Sequence, residues 1–195
     1  MIRNLRQTEP IQSSFLSCEK DTETILRKLF IESQPYSDTL KRLLVINMPD
    51  CLTNEENEVY QKKVKEMSLS ELVKQGYVKT TPKIRLEENA EIKAYMIISF
   101  DNFLPSSNPQ FRDCTVHFDI VCHSDYWGMD NYQLRPLKIA GYIDGILNNA
   151  KLSGIGTFQF LGCTEIVLDE NLSGYCLTFS AVHGSDDKIE GPEEE

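Results

Sequence analysis

The chain has 195 residues, 41% of them hydrophobic, and carries 20 basic against 30 acidic side chains for a formal charge of −10. That apolar share builds a real core, which argues against wholesale disorder, and the length fits one domain or one domain with an insertion. No apolar run approaches the roughly 20 residues needed to span a bilayer, and the acidic balance opposes contact with phosphate, so neither a membrane nor nucleic acid is the main partner.

The opening residues Met1 to Gln7 carry slight positive charge with no apolar stretch behind them. They predict no export signal and a soluble protein made in the cytosol. Six cysteines, Cys18, Cys51, Cys114, Cys122, Cys163 and Cys176, are scattered with no CxxC pair. Neither a zinc knuckle nor a thioredoxin-like site is indicated by that spacing, and the expectation is buried, reduced thiols.

The first predicted element is a helix that Asp21 can cap, with Ile25, Leu26, Leu29 and Phe30 on one face. Pro35 ends it. Ser37 or Asp38 starts a second helix, which carries Leu40, Leu43 and Leu44 and stops before Pro49. Residues 49–66 are polar and irregular and read as a surface connection or insertion. Ser68 and Glu71 then form a capping box for a short helix that Gly76 terminates. Pro82 and the run Glu87-Glu88-Asn89 separate this helix from the next apolar stretch.

From Lys93 the period changes to two. Ala94, Met96, Ile98 and Phe100 share one face of a strand, and a loop spans Leu104 to Pro109. A second strand, Thr115 to His123, puts Val116, Phe118, Ile120 and Cys122 on one face and His117 and His123 on the other. After a loop comes the strongest helix, with Pro136 in its first turn and a stripe of Leu137, Ala140, Ile143, Ile146 and Leu147. Gly141 and Gly145 lie four apart and make one face thin, which predicts tight packing on the sheet, with an intersubunit contact as the alternative. A closing hairpin turns at Asp169-Glu170-Asn171, and Gly162 is placed to bulge its first strand. The fold class is α+β: a mainly antiparallel sheet in the order strand, strand, helix, strand, strand, preceded by a helical N-terminal extension. The expected divisions are a helical region with a polar insertion over 1–91, the α+β core over 92–184 and an acidic tail over 185–195.

Candidate chemistry is sparse. His117 and His123 share a strand face, but six residues of strand separate them by about 20 Å at ~3.3 Å per residue, too far for one metal. His183 lies near the end of the last strand. A Cys–His nucleophile pair could use Cys122 or Cys163, yet Cys122 and His123 are neighbours on opposite faces and no nucleophile elbow frames either. No phosphate loop is present. The expectation is therefore no catalytic residue, no metal and no cofactor. The segment Asp125 to Tyr132 holds the single Trp, and its residues Tyr126, Trp127, Met129 and Tyr132 are the candidate interface; the alternative is that Trp127 covers the end of the core.

The hairpin from Ala94-Tyr95-Met96-Ile97-Ile98-Ser99-Phe100 to Val116-His117-Phe118-Asp119-Ile120-Val121-Cys122 is followed by the helix Ile139 to Leu147. Then come Gly156-Thr157-Phe158-Gln159-Phe160 and the closing hairpin from Thr164 to Gly184. This arrangement over about Ile92 to Gly184 resembles the tail-terminator and tail-completion proteins of tailed bacteriophages. The resemblance implies a non-enzymatic virion protein, assembled in the host cytoplasm, that forms a ring with copies of itself at the head–tail junction. Such rings are usually hexameric, with twelvefold as the alternative. They cap the tail tube and join it to the head. The implied partners are the tail tube and the head-completion or portal-adaptor proteins, with genomic DNA only as passing cargo and no membrane. The long N-terminal half departs from the short family members. It leaves open a neck ring stacked on the portal adaptor of a short-tailed phage. Outside the resemblance stand an unrelated cytosolic scaffold or binding module and an enzyme built on a Cys or His of the sheet.

Overall fold

A computed structural model of the protein describes residue 15 and residues 18–81, 94–106 and 111–184. The expectations for Met1 to Gln7, for Pro82 and Glu87 to Asn89, for residues 107–109 of the Leu104 to Pro109 loop and for the acidic tail fall outside the described residues; Leu104 and Pro105, read as loop, instead continue the strand that begins at Ala94.

Helix α1 is Cys18–Arg27 and runs on into a π-helical turn, Lys28–Glu32. Asp21 does not cap it: the helix begins three residues earlier, and the Asp21 side chain is buried against His183 instead. Helix α2 is Tyr36–Val45. The polar stretch expected to be irregular contains helix α3, Glu58–Glu66, whose N-cap Asn57 accepts from the backbone N–H groups of Val59 and Tyr60. Only Val64 of α3 is buried, so apolar periodicity could not reveal it. Helix α4, Leu69–Gln75, follows its capping box: Ser68 accepts from the Glu71 N–H, and Gly76 closes the helix at φ 87°, where a side chain would be strained.

The five sheet strands are β1 (Val78–Lys79), β2 (Ala94–Pro105), β3 (Phe111–His123), β8 (Gln159–Val167) and β9 (Leu172–Gly184), in spatial order β1-β2-β3-β9-β8. All neighbours are antiparallel except β1 and β2. Two-residue ribbons β4 (Gly128–Met129) with β5 (Gln133–Leu134), and β6 (Lys151–Leu152) with β7 (Gly156–Thr157), brace the loops on either side of helix α5, Arg135–Leu147. The register of β8 on β9 shifts between Phe160 and Gly162, as the glycine predicted. At Gly174 the strands approach so closely that a Cβ would lie 1.8 Å from the Ile120 carbonyl oxygen, so only glycine fits there.

One core joins both halves of the chain. Ile25, Leu29 and Phe30 from the first helical segment, Leu40, Leu43 and Leu44 from α2, and Leu72 from α4 are buried with Met96, Val116, Phe118, Ile120, Ile143 and Phe179. The alternation read for β2 and β3 therefore identifies the covered face correctly. The glycine face of α5 is a correction. Gly141 and Gly145 are exposed, and a Cβ at either would meet nothing within 4 Å. The helix turns Ile139, Ala140, Ile143 and Leu147 to the core and its thin face to solvent.

Arg135, at the first position of α5, is fully buried. Its guanidinium donates to the carbonyls of Leu43 (2.7 Å), Ile46 (2.8 Å), Met48 (2.9 Å) and Tyr126 (2.9 Å). It thus caps the carbonyl end of α2, where the helix dipole favours a cation. Arg135→Met keeps the apolar stem but leaves these carbonyls without their donor. It is expected to lower the unfolding free energy in urea by about 3 kcal/mol or more, since each unsatisfied buried acceptor costs about 1–3 kcal/mol.

Candidate assembly surface

The loop 125–132 begins with a turn of 3-10 helix, Ser124–Tyr126, in which His123 Nδ1 accepts from the Asp125 N–H at 3.3 Å. Tyr126 is half-buried and packs edge-on against the His123 ring, and its carbonyl holds Arg135. Trp127 rests on the core, donates from Nε1 to the Cys122 carbonyl at 3.3 Å and lies 6.0 Å from the Tyr175 ring. Met129 is buried, with its sulfur 3.8 Å from that of Cys51. Tyr132 is fully exposed at φ 59°. The four candidates are thus one cluster in sequence but two groups in space. Tyr126, Trp127 and Met129 anchor the loop, and Tyr132 projects from it.

Tyr132 leads into an uncovered stripe. Leu134 and Leu137 are 41% and 44% exposed, and with Gly141 and Gly145 they recur at three- and four-residue spacing along one side of α5. On β8 and just beyond it, Phe160 and Leu161 near one end and Val167 and Leu168 at the other are also exposed, with Leu161 at 57% and Val167 at 69%. Sequence periodicity missed this exposure, because it marks apolar residues without saying which are covered.

The histidines separate as their strand positions require. His117 bridges Thr115 Oγ1 (3.2 Å) and Thr178 Oγ1 (3.1 Å) on the polar face of the sheet. His123 faces the Asp125 carboxylate at 3.5 Å. His183 is buried and hydrogen-bonds through Nδ1 to the Asp21 carboxylate, while its Nε2 lies 3.6 Å from Cys18 Sγ. The thiols near histidines are therefore Cys18 and Cys176, not Cys122 or Cys163. Burial, followed by the nearby Asp21 charge, pushes the Cys18 thiol up. Burial, followed by the Asp119 hydrogen bond, pushes Cys176 up to about 12. Both environments keep the thiol protonated, the reverse of what a nucleophile needs. Cys51, Cys114 and Cys122 are buried as expected, whereas Cys163 is exposed and Cys18 and Cys176 are half-buried; all six are free thiols. Among the described residues, no group of three or more His, Cys, Asp or Glu side chains could hold a metal ion.

The fold is an α+β protein whose helices cover one face of a largely antiparallel sheet and leave apolar surface uncovered on α5 and on the last edge strand. The family model YomW matches residues 37–181, and the chain belongs to this phage-associated family. Among solved structures, a chain of the "Virion of native gene transfer agent (GTA) particle" superposes with a TM-score of 0.38 and 19% identity. It covers 68% of this chain and 92% of that one. So loose a superposition carries no inference. No curated protein matches the chain.

Two outcomes are expected from this geometry. Tyr132→Ala should leave stability within about 0.5 kcal/mol of the parent, whereas Trp127→Ala lowers it by roughly 1–3 kcal/mol; chemical denaturation of the two variants measures both. Burial raises Cys114 and Cys122 from 9.0 to about 12. A group whose folded pKa lies above its unfolded one contributes stability that is complete below the unfolded value and is lost as pH rises through the folded value. Unfolding free energy should therefore fall between pH 9 and 12, and Cys122→Ala should flatten that slope in urea titrations across the range.

Proposed function

We propose that this chain is a virion structural protein of a tailed phage, a ring subunit at the head–tail junction that caps the tail tube and joins it to the head. The observation that carries the reading is the amount of apolar surface left open on two different elements among the described residues: the α5 stripe led by Tyr132, and exposed side chains at both ends of β8. A head-to-tail ring needs two different patches on each subunit, one meeting the other on the next copy. Exposed aromatic groups such as Tyr132 are of the type that carries most of the energy of an interface. Membership of a phage-associated family supports the setting. The formal charge of −10 suits a subunit that lines a DNA passage without adhering to the backbone.

The role is read as non-catalytic, because the thiols nearest to histidines are held neutral rather than activated. No helix among the described residues is long and apolar enough to cross a membrane. As a cap, the ring occupies the last binding surface of the tube and presents a different surface outward, so it ends growth instead of extending it.

Electron microscopy of a lysate lacking the gene tests this. A cap predicts filled heads without joined tails, together with free tubes of irregular, excessive length. A neck ring on the portal adaptor of a short-tailed phage predicts heads that leak DNA and no long tubes. Normal infectious particles would overturn both.

A further inference from the structure

The two edges of the sheet are not alike. At β1 the edge is two residues long, and Val78 is fully buried beside α4. At β8 the strand is nine residues long, and Cys163, Thr164, Glu165 and Val167 are all exposed. β8 carries neither lysine nor proline, and its edge is protected only by Glu165 and by the bulge upstream at Gly162.

Backbone polarity along β8 is set by the turn. The Leu168 N–H donates to the Leu172 carbonyl at 2.9 Å, which sets these two at a hydrogen-bonded position of the ladder, while the Leu172 N–H turns to the Asp169 carboxylate at 2.8 Å. Antiparallel pairs alternate. Ile166 and Thr164 therefore bond to Gly174 and Cys176 of β9, and Cys163, Glu165 and Val167 direct their N–H and C=O groups away from the sheet. Upstream, the outward Phe160 N–H is already taken by Asn148 Oδ1 at 3.2 Å. The open edge is thus residues 163–167.

We propose that the free subunit pairs through this edge with a second copy of itself, as an antiparallel β8–β8 contact centred on Thr164. The edge's own sequence favours that register over the one centred on Glu165, the middle of the open segment. Centred on Glu165, the pairing would set two carboxylates directly opposite each other, which is destabilising. Centred on Thr164, Cys163 of each copy meets Glu165 of the other as a fully hydrogen-bonded pair. Thr164 meets Thr164, a favourable cross-strand pair, and Ile166 lies opposite Gly162, which has room for it. No like charges meet. The two ends of the segment, Gly162 and Ile166, are complementary in size, so the segment matches itself when reversed. The contact seals the exposed edge of a subunit that has not yet been built into a larger assembly. It rests on the edge geometry and not on the ring reading, since a two-fold contact closes on itself and cannot propagate around a ring.

The test uses the purified full chain in sedimentation and in crosslinking. The parent should show a concentration-dependent monomer–dimer equilibrium. Glu165→Pro removes one outward donor and leaves the bonds to β9 untouched, because edge positions tolerate proline. It should weaken dimerisation by at least about tenfold with the circular dichroism spectrum unchanged. In a Cys163→Ser, Cys176→Ser background, Thr164→Cys faces its mate across a close, non-hydrogen-bonded pair. It should form an intersubunit disulfide on mild oxidation, whereas Val167→Cys in the same background should not. A parent that stays monomeric at all concentrations overturns the proposal. So does an oligomer that Glu165→Pro leaves intact, or crosslinking at 167 without crosslinking at 164. None of these results touches the ring reading, which stands or falls on the lysate.

Discussion

The fold turns on one buried cation. Arg135 enters the interior from the first turn of α5 and is surrounded by main-chain carbonyls from the end of α2, from the segment after it and from the loop before α5. An uncompensated guanidinium could not stay buried. These carbonyls, themselves left over where α2 runs out of helical donors, satisfy it and are satisfied by it. The backbone N–H of the same residue donates to the Trp127 carbonyl at 2.8 Å, which fixes the aromatic loop against the helix. Sheet, helical extension and loop therefore share a single polar joint inside an otherwise apolar core.

A second joint ties the beginning of the described helices to the end of the last strand. The Asp21 carboxylate and His183 are 162 residues apart in sequence and meet inside the protein, with the Phe103 ring edge-on to the imidazole at 5.6 Å. Removing either partner would strand a polar group in the interior. With Arg135, this pair explains why the N-terminal helices share a core with the sheet although their sequence reads as an appendage. It also explains the exposed surfaces. The main helix contacts with the sheet fall on β1, β2, β3 and β9, and most side chains of the edge strand β8 remain exposed. Apolar surface left open among the described residues is the feature on which the proposed contacts with other chains rest.

Much of the architecture was legible in the residue pattern, because the pattern and the structure obey the same local rules. The two-residue period of Ala94 to Phe100 and of Val116 to Cys122 marks the buried face of the sheet, since a strand alternates its sides whatever it packs on. Ser68, Gly76 and Pro136 mark helix ends because capping is local chemistry, and Gly162 marks the bulge for a similar reason. What tertiary structure decided is which groups meet. Arg135 carries no signal in a periodicity scan, and its partners are carbonyls that every residue possesses. Asp21 has the chemistry of a helix cap and instead binds a histidine contributed by the other end of the chain. Helix α3 buries one apolar residue, so no stripe announces it. Gly141 and Gly145 have the spacing of a packing face, but only the placement of α5 over the sheet determines that this face looks outward. Local preference determined the elements; the three-dimensional arrangement alone decided which charges are buried and which apolar surfaces remain for a partner, because burial depends on neighbours distant in sequence.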